Sequence, residues 1–209
     1  MRADADAPLP VYPPGTVRAL LKTDLVTPPT HAAIQARLAP SDAATPRFFD
    51  AETFATLRAA CARLIPQHDR SSPVDLAGAI DARLADGKGD GWRYAVMPPD
   101  GTAYRLGLHG LDECARARFG APFHGLDATR QDEILAATQQ GEAEGEAWRR
   151  VSAHRFFEEL LAEVAECYYS DPLTQEEIGY VGMADARGWQ AIGLDQREAW
   201  EPDATDANG

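Results

Sequence analysis

Between Phe48 and Tyr169 the hydrophobic positions recur at steps of three and four, the spacing that lays one apolar stripe along an α-helix. In "FFDAETFATLRAACARLIP" the stripe runs through Phe54, Leu57, Cys61 and Leu64. Asp50 stands just ahead of it, where a carboxylate can accept from the unpaired amides of a first turn. Pro66 ends it by pushing the preceding residue out of helical geometry. Leu76, Ile80 and Leu84 repeat the pattern in "VDLAGAIDARLADG", which Gly87 and the cluster "DGKGDG" close. A third stripe through Leu108, Leu111, Cys114 and Ala115 ends near Phe119, at Gly120 and Pro122. Asp127 is placed to cap "ATRQDEILAATQQ", with Ile134 and Leu135 facing inward. The longest helix predicted is "EAWRRVSAHRFFEELLAEVAECYY", about six turns carrying Phe157, Leu160, Leu161, Val164 and Tyr168 on one face.

The flanks lack this regularity. Residues 1–47 read as an extended lead-in rich in proline, with a short helix at Val17–Lys22 and another in "HAAIQARL" capped by Thr30. The stretch "WRYAVMPPDGTAYRLG" is the one place where a short strand or hairpin is conceivable, turning at Pro98 to Gly101, and mostly loop is expected there. Ser170, Asp171 and Pro172 stop the long helix, and no stripe follows them. The final "DQREAWEPDATDANG" has the composition of a disordered tail. The pattern predicts an all-α fold, an irregular bundle of about five or six helices. Its parts are the N-terminal lead-in (1–47), a helical domain (48–169) and a long non-helical C-terminal arm (170–209).

Composition narrows the function classes. With 209 residues, 44% hydrophobic and 25% charged, the chain reads as a soluble globular protein large enough to fold without a metal or disulfide staple. A formal charge of -13 counts against binding nucleic acid, whose affinity comes from Lys and Arg neutralising phosphates. The same charge either steers the protein toward a basic partner surface or is simply solvated. No apolar run approaches the ~20 residues of a membrane span. The first residues show neither a charged start with an apolar core nor a twin-arginine pair, so no leader of its own is expected. That leaves a cytoplasmic location or a periplasmic one reached by co-export with a partner.

Candidate chemistry is sparse. Cys61, Cys114 and Cys167 are far apart with no metal-binding spacing, and read as buried small hydrophobes, a disulfide being the alternative. The five histidines show no ligand spacing. The adjacent acids Glu158–Glu159 and Glu176–Glu177 read as solvated faces rather than acid–base pairs. There is no nucleophile elbow, phosphate loop or dinucleotide fingerprint, so no catalytic, cofactor-binding or metal residue is assigned. Consecutive helical side chains diverge by roughly 100°. In Phe156–Phe157 and Tyr168–Tyr169 the second aromatic is therefore either buried by a helix covered on more than one side or turned toward a partner.

The ordered segments "FFDAETFATLRAACARLIPQHD", "AGAIDARLADG", "GLDECARARFGAPFHGLDATRQDEIL", "FFEELLAEVAECYYSDP" and "GWQAIG" resemble the small, or gamma, subunit of gluconate 2-dehydrogenase and its relatives. The similarity runs from Phe48 to Gly193. It implies an all-helical, non-catalytic accessory subunit that binds, and stabilises or helps to mature, an FAD-dependent sugar or sugar-acid dehydrogenase of the glucose-methanol-choline type. In such complexes FAD is on the large subunit and a cytochrome c often accepts the electrons. Members typically follow Tyr-Tyr-Ser-Asp-Pro with a Gly-Gly-Asn-like turn, where this chain has Leu173, Thr174, Gln175, Glu176 and Glu177. Tyr169, Asp171, Pro172, Trp189 and Ile192 are the expected partner-contact residues, Trp189 foremost because an indole in an arm with little core needs a surface to cover it. The alternative is a stand-alone helical binding or chaperone-like module without a flavoprotein partner.

Overall fold

The computed structural model describes residues 12–39, 45–89, 94–180, 190–194 and 196–198. Among them are eight α-helices and no strand, bearing out the all-α expectation. They divide into two compact units, one of residues 41–168 and one formed from both ends of the chain, 1–40 with 169–209.

In the larger unit, α3 (Ala51–Leu64) packs against α4 (Leu76–Ala85), α5 (Asp100–Phe119) and α6 (Ala128–Gln140). The caps foreseen from sequence are formed: Asp50 accepts from the Thr53 amide at 2.8 Å and Asp127 from the Arg130 amide at 3.0 Å. Asp75 does the same for Gly78 at the start of α4. Leu57, Ile80, Leu111 and Ile134 are fully buried in one hydrophobic core. α7 (Ala153–Tyr169) adds Phe156, Leu160 and Val164 to it.

In the larger unit, two helices differ from expectation. α5 begins at Asp100, where loop or hairpin was expected, and its 20 residues make it longer than the 17-residue α7. The Pro98–Pro99 pair precedes the helix as a start signal, with an acid in its first turn. Gly101, Gly107 and Gly110 lower the helical propensity of its first eleven residues. Two of these glycines are required by packing: a Cβ at Gly107 would meet the Phe156 ring at 2.2 to 2.5 Å, and one at Gly110 would meet the Trp148 indole at 2.4 to 2.9 Å. α5 thus has a side thin enough to admit two aromatic groups. Residues 147–149, expected as the start of the long helix, instead form a separate 3-10 turn that brings Trp148 to that side.

The smaller unit contains α1 (Thr16–Leu20), α2 (Pro28–Leu38) and α8 (Pro172–Glu177). α2 begins at Pro28, with Thr27 at its cap, rather than after Thr30. Val17, Leu20 and Val26 form a second small core, with Ile34 and Leu38 packed on it. α8 corrects the expectation of a wholly non-helical arm. Asp171 and Pro172 do stop α7, but they also start a new helix. The Asp171 carboxylate accepts from the Leu173 and Thr174 amides at 2.9 and 3.1 Å, and Pro172 fills the first helical position, where no amide is needed.

Candidate functional site

The expected partner-contact residues fall into two kinds. Tyr169, at the end of α7, is 48% exposed, and Ile192 is 84% exposed. Asp171 and Pro172 have local work instead: the acid caps α8 and the proline is buried in its first turn. Trp189 lies outside the described residues. Side chains not singled out from sequence join the exposed set, namely Ile178, Tyr180 and Leu194, which no periodic pattern marks. Ile178 and Tyr180 flank Gly179, whose positive φ of 74° turns the chain just after α8.

Of the two aromatic pairs, Phe156 and Phe157 are both buried, so α7 is covered on more than one side there. Tyr168 is half-buried, with its hydroxyl accepting from Arg70 and its ring beneath that guanidinium, while Tyr169 faces outward. Leu161, expected on the core face, is exposed, because it follows Leu160 by one helical step.

The densest polar constellation is in the larger unit. Arg83 of α4 donates through Nε and a terminal nitrogen to both oxygens of Glu163 on α7, at 2.5 and 2.7 Å. Its other terminal nitrogen donates to Asp100 at 3.2 Å and to the Lys88 carbonyl at 2.8 Å. The Tyr104 hydroxyl donates to Glu163 as well. Burial alone would lower the Arg83 pKa, but the hydrogen bonds and charge of Glu163 outweigh it and hold the guanidinium above its ordinary value. Burial, then the charge of Glu163, pushes the Tyr104 phenol well above its ordinary value.

These groups line a cavity of about 20 Å³, together with Met97, Phe156 and Glu159. That is room for about one water, whereas ligand pockets run to roughly 300 to 1,000 Å³. Glu163 is held by three donating groups and Tyr104 is kept protonated, an arrangement that fixes α4, α5 and α7 to one another rather than one poised to move a proton. A flavin does not fit this cavity.

Two of the histidines are engaged at the surface. His109 and His154 make surface pairs with Glu113 and Glu158 four residues on. Among the described residues no group of three or more His, Cys, Asp or Glu is placed to hold a metal. Cys61 and Cys114 are buried and Cys167 is half-buried, all as thiols rather than disulfides. Burial, reinforced by neighbouring Cys167 and Glu163, pushes the Cys61 thiol far above its usual value.

Several acids are used as acceptors for backbone amides rather than left in solvent. Asp81, 3% exposed, accepts from the amides of Arg47, Phe48 and Phe49 at 2.6 to 3.0 Å, fixing the approach to α3. Asp112 accepts from the Phe123 amide, and Glu113 from that of Ala147. Glu176, expected on a solvated face, is 5% exposed and accepts from Gly15 and Val17. Glu177 is exposed as foreseen.

Among the described residues no helix is long and apolar enough to cross a membrane. The family described as Gluconate 2-dehydrogenase subunit 3 matches residues 51–195, covering the helices from α3 to α8. No curated protein and no solved structure matches the chain. The match extends over more than half of the sequence, and the chain belongs to that family.

Proposed function

We propose that this chain is an accessory subunit that binds, and stabilises or helps to mature, an FAD-dependent sugar or sugar-acid dehydrogenase, with the flavin and the chemistry on the partner. Family membership supplies the dehydrogenase complex. The observation that carries the docking role is the distribution of exposed apolar side chains. Among the described residues eight large hydrophobic side chains are exposed, and five of them, Tyr169, Ile178, Tyr180, Ile192 and Leu194, lie in one 26-residue stretch of sequence from the end of α7 onward. Large aromatic and aliphatic groups of this kind anchor interfaces once water is excluded from them. The sequence places Trp189 in the same stretch. A cytochrome c accepting electrons from the flavoprotein completes the proposed assembly.

Purification of the native protein under gentle conditions tests this reading. The expected result is co-elution with a yellow, FAD-containing larger chain, and a lower yield of that chain when Ile178 and Tyr180 are both changed to serine while the helical circular dichroism signal is kept. Repeated recovery of a colourless, self-sufficient monomer would instead favour a stand-alone binding module.

A further inference from the structure

We infer that Glu176 is a clasp by which the C-terminal arm holds the N-terminal segment folded, so that α1 is ordered only while α8 is in place. One carboxylate oxygen accepts from the Gly15 amide at 2.6 Å and the other from the Val17 amide at 2.7 Å, across some 160 positions of sequence. α1 has only five residues, far fewer than the ~12 to 15 at which an isolated helix becomes even marginally stable. It also has no side-chain cap of its own, because the residue ahead of it is Gly15. Thr16 donates its amide to the Pro13 carbonyl at 3.2 Å, but without Glu176 the Gly15 and Val17 amides would lose their acceptor, the second of them on a fully buried residue. A carboxylate 5% exposed is itself unfavourable unless it is hydrogen-bonded, and two charge-assisted bonds to amides meet that requirement.

α8 also buries Pro172 and Thr174, and it packs against both α1 and α2. Whatever takes hold of the arm therefore acts on residues 15–38 as well. This clasp is independent of the flavoprotein reading, since it is complete within one chain and is measured without a partner.

Amide hydrogen exchange on the full-length protein tests the clasp, comparing Glu176→Gln and Glu176→Ala with the neighbouring control Glu177→Gln. Glutamine keeps the shape but can accept with only one oxygen, and alanine removes both acceptors. Protection of the α1 amides is expected to fall at least about tenfold in Glu176→Ala and by less in Glu176→Gln, the bond to a charged acceptor being the stronger kind. Amides of α5 and α7 should exchange as before, and the control should match the parent protein. Unchanged protection of α1 in Glu176→Ala, an equal loss in the Glu177 control, or a loss extending into α5 and α7 would each overturn the inference.

Discussion

Replacing Gly107 by alanine sets two opposing effects against each other. In an exposed helix interior the change stabilises by about 1 kcal/mol, because glycine gives up more backbone freedom on folding. At this position the added methyl would reach 2.2 Å from the Phe156 ring, well inside the ~3.5 Å of an optimal carbon contact. The ring has little room to yield: it is 1% exposed, with Tyr104 edge-on and Trp148 tilted, each at 5.9 Å between centroids. Overpacking a fixed core costs about 1 to 3 kcal/mol, and an overlap this deep belongs at the upper end. The expected net effect of Gly107→Ala is a loss of about 2 kcal/mol, measured by urea unfolding followed at a helical wavelength. Combining it with Phe156→Leu, which shortens the offending side chain, should give a double variant that loses at least about 1 kcal/mol less than the separate losses predict. Gly125→Ala, whose nearest neighbour would be an ordinary 3.5 Å from the new methyl, serves as a control and should fall within about 0.5 kcal/mol of the parent. A Gly107→Ala protein as stable as the parent, or a cycle that is simply additive, would refute the claim that the ring needs this glycine.

Other consequences are checked in the same unfolding assay. Tyr104 has its folded pKa raised well above 10, so its contribution is fully present below the unfolded value and lost as pH rises from there toward the folded one. Stability should decline above pH ~10, and Tyr104→Phe should remove that part of the slope. An identical slope in the variant would count against the assignment. Glu163→Ala removes the bidentate partner of the partly buried Arg83 and should cost about 2 to 3 kcal/mol, whereas replacing Arg83 and Glu163 together by methionine should cost less. A double replacement as damaging as the single one would mean that the loss is not due to an under-compensated charge. Asp50→Ala should cost about 1 kcal/mol through loss of the α3 cap. The bond from the Thr53 amide lowers the Asp50 pKa, so that contribution is present above pH 3.8 and lost as pH falls through the folded value. Thr174 has a buried hydroxyl with no hydrogen-bond partner among the described residues. Thr174→Val should therefore leave exchange protection in α8 unchanged or higher, and a marked loss would reveal a partner for the hydroxyl.

How far the sequence discloses this fold depends on whether the deciding interaction is local. The helices α3 and α6 are legible because each combines an aspartate at its cap with inward-facing apolar residues, and α4 because its apolar stripe is closed by glycine, all within a few residues. α5 is only half legible. Its glycines read as weak helix formers, and the aromatic groups that need them, Phe156 and Trp148, are about forty or more positions away in sequence. Ser170 to Pro172 is ambiguous for a simpler reason, since an aspartate followed by proline both ends one helix and begins the next. Glu176 is invisible locally, because the amides it satisfies are near the other end of the chain. Tyr169 and Ile192, expected as partner contacts, are exposed, whereas Ile178 and Tyr180 become visible only once the turn at Gly179 is known.

The unequal burial of the cysteines makes the protein ready for labelling without engineering. Thiols react with maleimides as thiolates, so Cys61, buried and with its pKa pushed far up, should stay silent at neutral pH, and buried Cys114 should be shielded by lack of access. Cys167 is half-buried in the last turn of α7, two residues before the exposed Tyr169. A single fluorophore would therefore attach where the arm begins, giving a native optical reporter of what the arm meets.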